Sequence, residues 1–224
     1  MFDIDAWCTE KLAPDGELED GCHPQQALAI KQYLGHEIEL PCFWSLLTDA
    51  LLELPPTDLL IELIQTVERL PPPSTLTDHG RLWGGLPGFA HQYADGLWED
   101  WRALYRAAES PERKCIIRED QIRKAAVEAC LVATGLGGIP IDCGYDAVAN
   151  ALERSDALFE VEVPVAVEWL NRASRCFEAG AAKEERSWAL EKPRDLWQGE
   201  SIMTHARYSF WAERLDALQP HTQG

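Results

Sequence analysis

A chain of 224 residues that is 46% hydrophobic and carries nine tryptophans has enough apolar surface to bury a sizeable core, which excludes disorder throughout. Its formal charge of −18 repels phosphate backbones and anionic lipid, so nucleic acid and membrane surfaces are not expected partners. No run reaches the roughly 20 apolar residues of a membrane span. The acidic start MFDIDAWCTE lacks the charge and apolar core of a secretory signal, so a cytoplasmic protein with reduced thiols is expected.

Residues 1–22 are acidic and hold two Asp-Gly steps, Asp15-Gly16 and Asp20-Gly21. They read as a loose arm before a helical domain spanning 23–219. Pro24 suits a first helical turn, and that helix is expected to stop at Gly35. Pro41 opens a second helix with Phe43, Trp44, Leu47, Leu51 and Leu54 inward. Pro55-Pro56 starts a third, whose Leu59, Leu60, Leu63, Ile64, Val67 and Leu70 recur at three- and four-residue steps. Residues 71–87, from the triple proline to Trp83-Gly84-Gly85-Leu86-Pro87, read as an internal linker.

Residues 88–109 read as one helix or a broken pair, with Trp98, Trp101 and Tyr105 on one face. A fifth helix from Pro111 to Thr134 carries a small-residue stripe at Ile122, Ala125, Ala126, Ala129 and Ala133, and Gly135-Leu136-Gly137-Gly138 stops it. A sixth runs from Asp142 to Arg154. Phe159 through Val163 alternates apolar and charged residues and reads as a short extended piece, after which Pro164 is expected to start the seventh helix. Gly180 would lie just past that helix. The last helix starts near Thr204 as its N-cap and ends before Pro220. With no recurring strands, the expectation is an all-α, single-domain bundle of about eight to nine helices.

Certain residues bear a family likeness. The run Val163-Pro164-Val165-Ala166-Val167-Glu168-Trp169 is similar to a V-P-A-A-x-x-W tract. Leu196-Trp197-Gln198-Gly199, followed by Ala206-Arg207-Tyr208-Ser209-Phe210-Trp211 and on to Leu215, is similar to an L-W-x-G then R-W-x-F-W-x-x-R-F ending. Trp83 with Leu86-Pro87 and the Ala-Leu-Glu step at residues 151–153 add to these. Together they resemble the fungal DUF3632 family over roughly residues 40 to 218. Tyr208 stands where the family more often has Trp. The resemblance implies a fungal source and a helical fold, and it lends no catalytic residues.

Metal and nucleotide motifs are missing. The six histidines form no H-E-x-x-H, and no pair has ligand spacing with a third donor, so no metal is expected. The Gly135 loop follows a helix rather than a strand, and Pro140 takes the position of the third glycine, so it is not a dinucleotide fingerprint. No D-D-x-x-D motif supports a terpene-cyclase reading. No cofactor is therefore expected.

The tryptophans invite two readings. Aromatics at helical spacing form core, and they also wall pockets between helices. On the second reading Trp83, Trp98, Trp101, Tyr145, Trp169, Tyr208 and Trp211 line a cavity for an apolar small molecule. Arg207, four residues before Trp211, is either a clamp onto a neighbouring acid or an anion-recognising group. His91 and His205 are the candidate acid–base groups beside it. The function expected is small-molecule binding in a Trp-lined pocket, extending to a cofactor-independent cyclase or isomerase of secondary metabolism. The alternative is a non-catalytic interaction protein or homodimeric scaffold that uses the Leu59–Leu70 stripe.

Overall fold

A computed structural model describes residues 40–53, 57–69, 86, 88–95 and 100–218. The expected N-terminal arm and first helix lie outside these residues, as do Trp83, Trp98 and all of the 71–87 linker except Leu86. The chain is all-α. The described helices are α1 (Leu40–Glu53), α2 (Thr57–Arg69), α3 (Phe89–Asp95), α4 (Trp101–Ala107), α5 (Pro111–Thr134), α6 (Asp142–Leu152), α7 (Phe159–Lys183), α8 (Trp188–Glu191) and α9 (His205–Leu218). The one β-type pairing among the described residues is an isolated bridge, Arg186 to Ile202. No described helix is long and apolar enough to cross a membrane. The chain divides into two compact units at Leu97 and Trp98.

In the N-terminal unit α1 packs on both α2 and α3. Trp44 meets Phe89 edge to face at 5.7 Å, and Phe89 lies against Tyr93 at 5.9 Å. Leu60, Ile61, Leu63 and Ile64 of α2 are buried. Of the apolar stripe that suggested a homodimer, Leu60, Leu63 and Ile64 are covered within the chain, and the other three side chains lie outside the described ones.

The C-terminal unit is organised around α7, which packs along α5 and α6 and also touches α9. The expected extended piece at 159–163 is instead the first turns of this helix. Five residues are too few to separate a two-residue from a 3.6-residue period, and Ala166, Trp169, Ala173 and Phe177 continue the buried face at helical steps. Glu162 reaches back to accept from the Leu158 N–H at 2.6 Å, and Glu160 and Glu162 face the positive helix end. Pro164 sits inside the helix rather than at its start, and it forfeits one ladder bond. Ala173, with φ −112° and ψ 19°, marks a kink further along.

Gly180 also lies inside α7, not past it. Its role is close approach, because a Cβ there would overlap the Tyr145 hydroxyl. That hydroxyl donates to Glu185 Oε2 at 3.0 Å. Burial, and after it this hydrogen bond, holds the phenol protonated.

The stop after α5 follows the sequence. Gly135 takes a left-handed φ of +71°. Its N–H donates to Val132 O at 3.1 Å, and the Leu136 N–H donates to Leu131 O at 2.9 Å, while both leucines are buried. Thr204 caps α9 by accepting from the Arg207 N–H at 3.1 Å.

Candidate functional site

Arg207 is the first sequence candidate to be fixed by geometry. It is 1% exposed and forks onto Glu153, which is fully buried, at 2.6 Å from Nε and 2.7 Å from Nη2. Its Nη1 serves the carbonyls of Leu190, Glu200 and Ile202. Trp211 Nε1 donates to the same carboxylate at 2.8 Å. Arg194 stands 3.9 Å away, and burial lowers its guanidinium from the ordinary range. This buried network ties α6, α9 and the segment between α8 and α9 together. Every strong donor and acceptor in it is engaged, so it has nothing left to offer a ligand.

Tyr145, Trp169, Phe177 and Trp211 form a chain of edge-to-face rings with Phe177 at its hub, 5.5 Å from Tyr145, 6.4 Å from Trp169 and 6.0 Å from Trp211. All four are 0–1% exposed. Tyr208 packs half-buried against the same cluster. Tyr145 and Trp211 therefore sit in packed core, with Tyr208 at its margin.

A cleft of about 220 Å³ opens on the far side of Trp169. Trp101 of α4, Trp169 of α7 and Trp188 of α8 contribute its indoles. Helices α5 and α6 close it with Lys124, Glu128, Cys143, Asp146 and Asn150, and Arg102 and Glu162 complete the polar lining. Of the seven ligand-binding candidates, Trp101 and Trp169 reach this cleft. Trp188, 55% exposed at its edge, joins them although it was not among the candidates.

The acid–base candidates do not gather here. His91 is exposed on α3 in the N-terminal unit, and His205 is exposed at the start of α9. The titratable groups that do line the cleft are three carboxylates, a thiol, Arg102 and Lys124. Glu162 accepts from Arg102 Nε at 2.7 Å as well as from Leu158. Asp146 accepts from Lys192 Nζ and Arg194 Nη2, each at 2.9 Å. Burial raises the Glu128 carboxyl to about 6, which Lys124 partly offsets. Burial, helped by the charge of Glu128, pushes the Cys143 thiol up to about 11 and so keeps it neutral. Among the described residues, no group of three or more His, Cys, Asp or Glu side chains is placed to hold a metal ion.

Sequence reasoning passed over Glu128, yet a signal exists. It stands three residues after Ala125 and one before Ala129, at the margin of a stripe that packs against α7. A carboxylate at the edge of a close helix contact is either paired or functional.

The family described as "Protein of unknown function (DUF3632)" matches residues 44–215, well over half of the sequence. The chain belongs to the DUF3632 family. No curated protein and no solved structure matches it. Within DUF3632 terms, the L-W-x-G and arginine–aromatic ending has a structural meaning in this chain. Leu196 N–H donates to the Glu153 carbonyl at 3.0 Å. Trp197 lies between Phe210, at 5.4 Å, and the Arg207 guanidinium, at 5.5 Å. A side chain at Gly199 would collide with the Trp197 ring. The ending thus locks the buried Glu153–Arg207 pair, whereas the V-P-to-Trp tract delivers Trp169 to the cleft.

Proposed function

We propose that the C-terminal unit binds a small, mostly apolar molecule in the cleft walled by Trp101, Trp169 and Trp188. One observation carries this reading: Trp101 and Trp188, from two helices outside the solid ring cluster, border the same partly open space as Trp169, which forms the edge of that cluster. The volume of about 220 Å³ falls below the roughly 300 Å³ at which drug-sized pockets begin, so the occupant is the size of one or two rings. A cofactor-independent isomerisation or cyclisation, if the ligand is turned over, would take place in this cleft with Glu128 as the proton-transfer group.

Titration with a panel of one- and two-ring aromatic compounds, followed by tryptophan fluorescence, tests the proposal. Saturable quenching is expected. Trp101→Ala and Trp188→Ala should each weaken it about three- to tenfold, the worth of one aromatic contact. Trp188 is more than half exposed and Trp101 borders only the small Tyr105–Ile117–Val161 cluster, so each variant should keep the helical circular dichroism of the unsubstituted protein. Absence of saturable quenching across the panel would instead favour the non-catalytic interaction protein.

A further inference from the structure

Building on that reading, we propose that the ligand carries a positively charged nitrogen, an organic ammonium held between the indole faces and the carboxylate of Glu128. Charge accounting within the cleft leads there. Its lining holds two cations, Arg102 and Lys124, and three carboxylates, Glu128, Asp146 and Glu162. Glu162 is saturated by Arg102 and by the Leu158 N–H. Asp146 already takes two cations, Lys192 and Arg194, at 2.9 Å each. Glu128 stands apart. Its one ionic neighbour among the described residues is Lys124, at 3.9 Å and on a flexible stem. A carboxylate that is 87% withdrawn from water and lacks a close donor offers a strong partner for an ammonium.

An incoming anion would meet the opposite situation. Arg102 is committed to Glu162, and Lys124 stands beside a negative charge of its own. The rings complete the case, because indole faces attract cations, and Arg102 already lies 4.7 Å over one face of Trp101. At the cleft edge the fold already shows this arrangement. The Lys192 ammonium lies 4.4 Å over the Trp188 ring and 2.9 Å from Asp146 Oδ1, held between an indole and a carboxylate.

The ammonium requires ionised Glu128. The charged and titratable groups that share the cleft with Glu128 are Lys124 on its own helix, Cys143 and Asp146 on α6, Arg102 on α4 and Glu162 on α7, and of the charges Lys124 acts on it directly. With the Glu128 carboxyl raised to about 6, ammonium affinity is present above that value and is lost as pH falls through it.

Three probes of similar shape test this on the full chain: 2-phenylethylamine, 2-phenylethanol and 3-phenylpropionate, measured by titration calorimetry at low salt. At pH 7.5 the amine should bind about tenfold more tightly than the alcohol, and the acid should bind weakest. Glu128→Gln, close to isosteric, should remove the preference and bring amine and alcohol together. In the unsubstituted protein, lowering the pH from 7.5 to 5 should weaken the amine alone, which needs no variant to fold. Equal binding of amine and alcohol, or a gap that survives Glu128→Gln, would overturn the ammonium assignment and leave the aromatic cleft standing. Failure of all three probes to bind would overturn both.

Discussion

Arg207→Ala is expected to lower the unfolding free energy by about 3 to 5 kcal/mol, the usual result of removing one partner from a buried ion pair. Glu153 has no access to water and takes a two-pronged contact from this guanidinium. Trp211 Nε1 and, 3.9 Å away, the Arg194 guanidinium would remain, but neither replaces the two-pronged contact. The three carbonyls served by Nη1 would also lose their donor. Chemical denaturation monitored by circular dichroism measures the loss. Arg172→Ala supplies the contrast, because its pairing with Glu168 is an exposed four-residue helix pair worth about 0.5 kcal/mol or less. Equal small effects for both variants would show that the Glu153–Arg207 pair is not what holds α9 in place.

Trp211→Ala is expected to cost a similar amount, about 3 to 5 kcal/mol, through the cavity it leaves beside Phe177. Trp188→Ala should change stability by no more than about 0.5 kcal/mol, since more than half of that ring already faces solvent. In ligand binding the order reverses: Trp188→Ala weakens it, whereas Trp211 has no contact with the cleft. Thermal unfolding and the fluorescence titration, run on both variants, separate indoles that build the molecule from indoles that serve a ligand. A Trp188→Ala protein as unstable as Trp211→Ala would erase that separation.

The sequence made the helices legible wherever apolar residues recur over several turns. Leu60, Leu63 and Ile64 of α2 show this, as do Ala166, Trp169, Ala173 and Phe177 of α7. Caps were equally readable at Gly135 and Thr204, because a left-handed φ and an orphan N–H each call for particular residue types. The start of α7 was not readable. Its alternation is short, and the decisive contact is a glutamate reaching back to the Leu158 N–H. Gly180 misled for a related reason: glycine ends helices, and it also permits a tyrosine to press against one, and only packing tells the two apart.

The candidate site was legible in part. Helical spacing groups aromatics on a face, but it does not say whether a face meets another helix or an opening. Trp169 and Trp211 both lie on buried faces, yet only Trp169 also borders the cleft. Arg207 was singled out as a clamp or an anion reader. Its partner, Glu153, lies 54 residues away, where no local pattern could point to it. Glu128 and Trp188 depend in the same way on how α5, α6 and α8 come together.

The tryptophan indole N–H resonances offer the most direct test of a division between solid core and open cleft. A titration with 2-phenylethylamine, followed by nitrogen–proton correlation spectra, should shift the signals of Trp101, Trp169 and Trp188 and leave those of Trp197 and Trp211 in place. Shifts at Trp211 with the three cleft signals unmoved, or no shift anywhere at saturating probe, would contradict it.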